Sequence, residues 1–219
     1  MLRPMPESAR ESSRSERRLE VLATLLLALA TFGTAWAAYQ SRQWTGQQSQ
    51  GYSRATANRI AVNRESALAD RQVQIDVATF VQWVDARAHG DDRLAGFYRA
   101  RFRDEFKPAF AAWLATRPLT NANAPGTPFA MPQYRLAASA EADRLEADAA
   151  VQSDGAKDAN DRATNYMLAV VLFASALFFA GLSTKLESRG TRKAVLALGC
   201  ILFVGTVVFL ATLPVRLTN

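Results

Sequence analysis

The chain has 219 residues, a formal charge of +6, 49% hydrophobic and 21% charged residues, one cysteine and one histidine. One cysteine precludes an intramolecular disulfide, and with one histidine it cannot furnish the ligand set of the common zinc sites. Residues 41–164 carry 16 cations against 15 acids, so the longest polar stretch has no basic surplus for nucleic-acid phosphates.

Residues 1–20 hold five arginines (Arg3, Arg10, Arg14, Arg17, Arg18) against four glutamates, and form a basic N-terminal segment. Three apolar segments follow along the chain, at 21–40, 165–184 and 194–214. At about 1.5 Å rise per residue each is long enough for a hydrocarbon core of about 30 Å. The pattern predicts an all-α integral membrane protein with three transmembrane helices, the first N-terminal and the other two a C-terminal hairpin. A helical extramembrane domain occupies 41–164, between the first and second spans.

Cations near the spans set the orientation. The N-terminal segment and the turn 185–193, with Lys185, Arg189, Arg192 and Lys193 against Glu187, are expected on the cytoplasmic side. Three spans put these two segments on one side, so the two signals agree. The domain and the tail 215–219 then lie outside. Arginine (22) far exceeds lysine (4), a usage suggesting a GC-rich bacterial genome and hence an inner membrane with a periplasmic domain. Trp36, Tyr39, Trp44 and Tyr166 form an interfacial aromatic belt. Ala35-Trp36-Ala37 has the A-x-A form of a cleavage site, but the apolar run is a full span, so an uncleaved anchor is expected.

Within the first span Thr24, Ala28, Thr31, Ala35 and Ala38 recur at alternating four and three residues, opposite Leu25, Leu29, Phe32 and Trp36. Small residues let helices approach closely, and the stripe predicts a helix-packing seam. A threonine-lined pore in an oligomer is the alternative.

Beyond the span, Gly46 and Gly51 place a hinge in a glutamine-rich stretch. No Gly or Pro occurs from 55 to 88, and Val73, Val77, Phe80 and Val84 mark one helical face. His89-Gly90-Asp91-Asp92 ends this helix as a turn, with an aspartate capping the next. That next helix, about 92–116, carries Leu94, Tyr98, Phe102, Phe106, Phe110 and Trp113 as a core-facing stripe, with a kink at Pro108. Prolines and asparagines make 117–132 a loop. From Gln133 a long alanine-rich acidic helix returns to the second span, loosened at Gly155.

The two coiled-coil-like arms differ in charge, +3 over 41–71 and −3 over 135–162. Antiparallel pairing from the membrane outward sets Arg59 near Asp143 or Glu146, and Arg64 near Glu141. These are the candidate inter-arm ion pairs, and they would specify pairing more than they stabilise it.

No glycine-rich phosphate loop, nucleophile elbow or calcium-loop spacing is found. No catalytic, cofactor-binding or metal residue is therefore assigned. The spans carry no ionisable residue in their interiors, against an ion-coupled transporter. The Trp36-Ala37-Ala38-Tyr39-Gln40 exit, the aromatic-arginine helix and the Pro128-Phe129 to Pro132 loop before Tyr134 give a layout that resembles small bacterial inner-membrane families of unknown function. The resemblance implies no activity. The expectation is a non-enzymatic membrane scaffold or interaction protein without a cofactor, homo-oligomeric, with the lipid bilayer and a periplasmic protein as partners. A small oligomeric channel or transport subunit is the alternative.

Overall fold

The computed structural model describes residues 7–118 and 120–216, with side chains from Glu16 onward. Residues 1–6 of the basic segment and 217–219 of the tail lie outside the described residues. The chain is helical: α1 Glu7–Ala88, α2 Asp92–Arg101, α3 Lys107–Ala115, α4 Ala137–Ser183 and α5 Arg189–Ala211, with a 3₁₀ turn at Pro128–Ala130 and no strand among the described residues. Three of these helices, α1, α4 and α5, are long and apolar enough to cross a membrane. The chain divides into two compact units, one of Met1–Tyr52 with Asp154–Asn219 and one of Ser53–Ser153.

The first unit holds the three apolar segments. Along α1 its buried positions are Ala23, Leu26, Ala30, Ala37, Gln40, Ser41 and Trp44. Gly33 belongs to the same stripe: a Cβ there would fall 2.7 Å from Phe173 Cζ, so the α4 ring rests on bare backbone. The complementary stripe on α4 is Ala156, Ala159, Ala163, Tyr166, Ala169, Phe173, Ala176 and Ala180. Steps of three and four keep each stripe on one face, much as in a left-handed coiled coil. Leu196 on α5 completes a cluster with Ala23, Leu26 and Ala180.

Within the single chain the expected seam residues are not the ones packed against α4 and α5. Thr24, Ala28, Thr31 and Ala35 are exposed and Ala38 is half-buried. The chain's own packing uses the stripe one residue over, about 100° around the helix. The Thr24 and Thr31 hydroxyls donate to the carbonyls of Glu20 (2.9 Å) and Leu27 (2.7 Å) of their own helix.

Two expected interruptions are absent. α1 passes unbroken through Gly46 and Gly51, and α4 through Gly155. The reason lies in side-chain ties on either side of the glycines. Ser41 Oγ donates to Ala163 O (3.0 Å) and Gln48 Nε2 to Asn160 Oδ1 (3.0 Å), and Ala55 and Ala69 are buried further along. The same ties bring residues 41–52 and 154–164 into the apolar unit, so the second unit begins about a dozen residues beyond the expected boundary at 41–164. At the other end of the apolar unit, Arg189 of α5 donates to Glu16 of α1 at 2.6 Å. The basic turn and the N-terminal segment therefore lie at the same end.

In the second unit α1 ends in a Schellman motif. Asp91 N donates to Ala86 O (2.9 Å) and Gly90 N to Arg87 O (3.2 Å), with Gly90 at φ 73°. Asp91 then caps α2 by accepting from Leu94 N at 2.9 Å. The expected single helix over 92–116 is two helices. Steps of four residues drift about 40° each around an α-helix, so a straight helix would spread the stripe from Leu94 to Trp113 widely around its axis. The break at 102–106 resets the phase. Pro108 sits in the first turn of α3, where its missing N–H costs nothing.

Candidate functional site

The second unit is built around rings. Phe80, Trp83, Phe102, Phe106, Phe110 and Trp113 are buried together, with Tyr98, Phe129, Met131 and Tyr134 packed against them. Trp83 meets Phe110 edge-on at 4.8 Å between centroids, Phe102 meets Phe106 at 4.9 Å, and Phe129 stacks on Phe106 at 5.1 Å. Such pairs add about 0.5–1.5 kcal/mol each beyond area burial. Buried Trp113 donates from Nε1 to Pro125 O at 2.7 Å, and buried Pro128 opens the 3₁₀ turn that delivers Phe129. The proline-rich loop is thereby tied onto α3.

Between this loop and the end of α1 lies a cavity of about 620 Å³. Phe80, Trp83, Val84 and Trp113 form one wall, and Pro118, Asn121 and Ala122 with the Ala124–Gly126 turn form the other. Its polar groups are largely spent. Arg87 is paired with Asp92, Asn121 Nδ2 donates to Thr116 O (3.1 Å), and Asn121 Oδ1 accepts from Asn123 N (3.0 Å). The volume falls in the ordinary range for ligand pockets, and the lining suits an apolar group.

Beneath the rings sits one buried acid, Asp76, fully removed from solvent. Its Oδ2 accepts from Arg103 Nη1 (2.8 Å) and from the Tyr134 hydroxyl (3.1 Å), while Oδ1 has no partner. Arg103 also pairs with Glu105, whose other oxygen accepts from Ala137 N (3.0 Å) at the start of α4. Burial pushes the Asp76 carboxyl above its ordinary value, against the opposing pull of the Tyr134 hydrogen bond and the Arg103 charge. Burial, then the Asp76 charge, raises Tyr134 as well. The network joins α1, the α2–α3 connector, the loop and α4, and so fixes the ring cluster that forms the cavity wall.

The candidate inter-arm pairs are not brought together. Glu141 pairs with Arg144 of its own helix at 2.5 Å, which lowers the Glu141 carboxyl chiefly through that hydrogen bond. Arg59, Arg64, Asp143 and Glu146 are exposed and in no ion pair among the described residues. No group of three or more metal-capable side chains occurs among the described residues. Asp76 and Arg103 went unremarked in the sequence. Asp76 could have been noticed, since it falls between the stripe positions Val73 and Phe80 on the buried side of α1. No protein family, curated protein or solved structure matches the chain.

Proposed function

We propose that the protein is a non-enzymatic, membrane-anchored interaction protein whose aromatic unit takes an apolar side chain of a protein partner into the Trp83–Trp113 cavity. The three long apolar helices anchor it in a bacterial inner membrane, with the N-terminus and the turn 185–193 cytoplasmic and the aromatic unit periplasmic. The carrying observation is the cavity itself: about 620 Å³, walled by two tryptophans and a phenylalanine. Its one arginine is neutralised by Asp92. The rings are themselves buried and Val84 is 42% exposed, and a partner side chain entering the cavity would remove the remaining apolar lining from water.

The test is a photo-crosslinking amino acid at Val84 in the cavity wall, with Val151 as an exposed control. The reading expects a discrete polypeptide adduct at 84, absent at 151 and lost when Ala124→Trp fills the cavity. An adduct containing a second copy of the chain makes the partner the protein itself. No adduct at 84 above the control overturns the reading. Ion conductance by the purified protein in planar bilayers would favour the channel alternative.

A further inference from the structure

In the apolar unit, the residues leaving the polar end of the three helices are arranged with unusual care. Gln40, fully buried, holds the backbone of residue 216 from both sides: its Nε2 donates to Arg216 O (3.1 Å) and its Oε1 accepts from Arg216 N (3.0 Å). The Tyr166 hydroxyl donates to Pro214 O at 3.2 Å. The segment after α5 is thus laid back against α1 and α4, which places the Arg216 guanidinium 5.8 Å from the Trp44 ring centroid. Arg162 of α4 lies over the same ring at 4.6 Å. Gln47 accepts from Arg216, and neither arginine is paired with a carboxylate among the described residues. The nearest acids on α4, Asp158 and Asp161, are exposed.

Two guanidiniums lie at one indole, neither in an ion pair among the described residues, and an anion placed between them would be attracted by both. Planar guanidinium forks match phosphate oxygens well. The height is also right. Trp44 follows Gln40 by four residues and Arg162 precedes Tyr166 by four, so each sits about 6 Å beyond its apolar segment. That falls within the headgroup layer, roughly 5–8 Å deep on each face of a bilayer. We infer that Arg162, Arg216 and Trp44 form a site for the phosphate of an anionic lipid headgroup, in the leaflet at the Gln40 and Tyr166 ends of the apolar segments. The inference rests on the membrane reading above.

The test uses the full chain in nanodiscs of mixed phosphatidylglycerol and phosphatidylcholine, with retained lipid weighed by native mass spectrometry. Wild type is expected to retain phosphatidylglycerol in several-fold preference, and Arg162→Gln with Arg216→Gln to lose that preference while keeping its helical circular dichroism. Equal retention of the two lipids by wild type overturns the site whether or not the variant folds. So does an unchanged preference in a folded variant. Wild type that binds inorganic phosphate in neutral detergent, and releases phosphatidylglycerol to it, assigns the site to free phosphate and overturns the lipid source. Release of the protein from membranes by alkaline carbonate would instead defeat the membrane reading, an outcome distinct from loss of lipid preference.

Discussion

Asp76 and Arg103 meet at 2.8 Å although 27 residues separate them, and the carboxylate is wholly buried while the arginine keeps 22% of its side chain exposed. The pair is therefore asymmetric. Removing the arginine strands a charge in the core, whereas neutralising the acid strands only a partly solvated cation that still has Glu105. Breaking a buried pair from that side costs about 3 kcal/mol, and losing a hydrogen-bonding partner about 1–2 kcal/mol. Arg103→Gln is expected to destabilise more than Asp76→Asn in thermal unfolding in detergent at neutral pH. The reverse order would mean that Asp76 is not charged when buried.

The pH dependence of the same pair has a definite sign. Burial raises the Asp76 carboxyl from 3.8, so the folded chain holds that proton more tightly than the unfolded one. The resulting stabilisation is complete below 3.8 and is lost as pH rises through the higher folded value. The melting-temperature gap between wild type and Asp76→Asn should therefore move in favour of the asparagine variant as pH is raised from below 4 to neutrality. Tyr134 is raised too, from 10.0, so its share is lost only above pH 10, and Tyr134→Phe should blunt the alkaline loss. A gap that is flat across the acid range would show that the carboxyl is not shifted.

The contrast between register and rotation explains what the sequence revealed. The antiparallel heights of the arms were legible: Ser41 meets Ala163, Gln48 meets Asn160, and Ala69 clusters with Leu136 and Ala138. Those heights follow from chain length counted out from the apolar segments. Rotation about the helix axis was not legible, because two small-residue stripes run side by side on the first apolar segment and most of the charged residues on both arms are exposed. The aromatic cluster was visible as a stripe, but the loop that closes the cavity depends on Trp113 reaching Pro125 O, a contact no local pattern encodes.

For the arm charges, Glu141 already has Arg144 one turn along its own helix. A double-mutant cycle of Arg64→Glu with Glu141→Arg should give additive effects, whereas Arg144→Glu with Glu141→Arg should show coupling that fades in high salt. Strong coupling between 64 and 141 at low salt would restore the inter-arm pairing.

For orientation, the proposed topology expects a cytoplasmic reporter to be active after Gly190 and a periplasmic one after Asn219. The Glu16–Arg189 pair already sets both basic segments at one end of the apolar unit. An active periplasmic reporter at 190 would reverse the assignment of that end to the cytoplasm.

The two neighbouring stripes of the first apolar segment can be separated by substitution. On the buried stripe, Gly33→Val would drive a branched side chain into Phe173, which is 1% exposed and packs on Phe203 at 5.6 Å. Overpacking of a buried site of this kind costs about 1–3 kcal/mol. On the exposed stripe, Ala28→Leu and Ala35→Leu add bulk at positions exposed in the single chain, so the stability of a monomer should hardly change. The same two variants interrogate assembly, because small residues left open in a span are where a second copy could approach closely. Thermal stability and size in mild detergent should thus respond independently: Gly33→Val lowers the melting temperature at any oligomeric state, and the alanine variants change size without lowering it in the monomer. If Ala28→Leu and Ala35→Leu leave both size and stability untouched, the outer stripe faces only lipid and the chain's contacts with copies of itself must lie elsewhere.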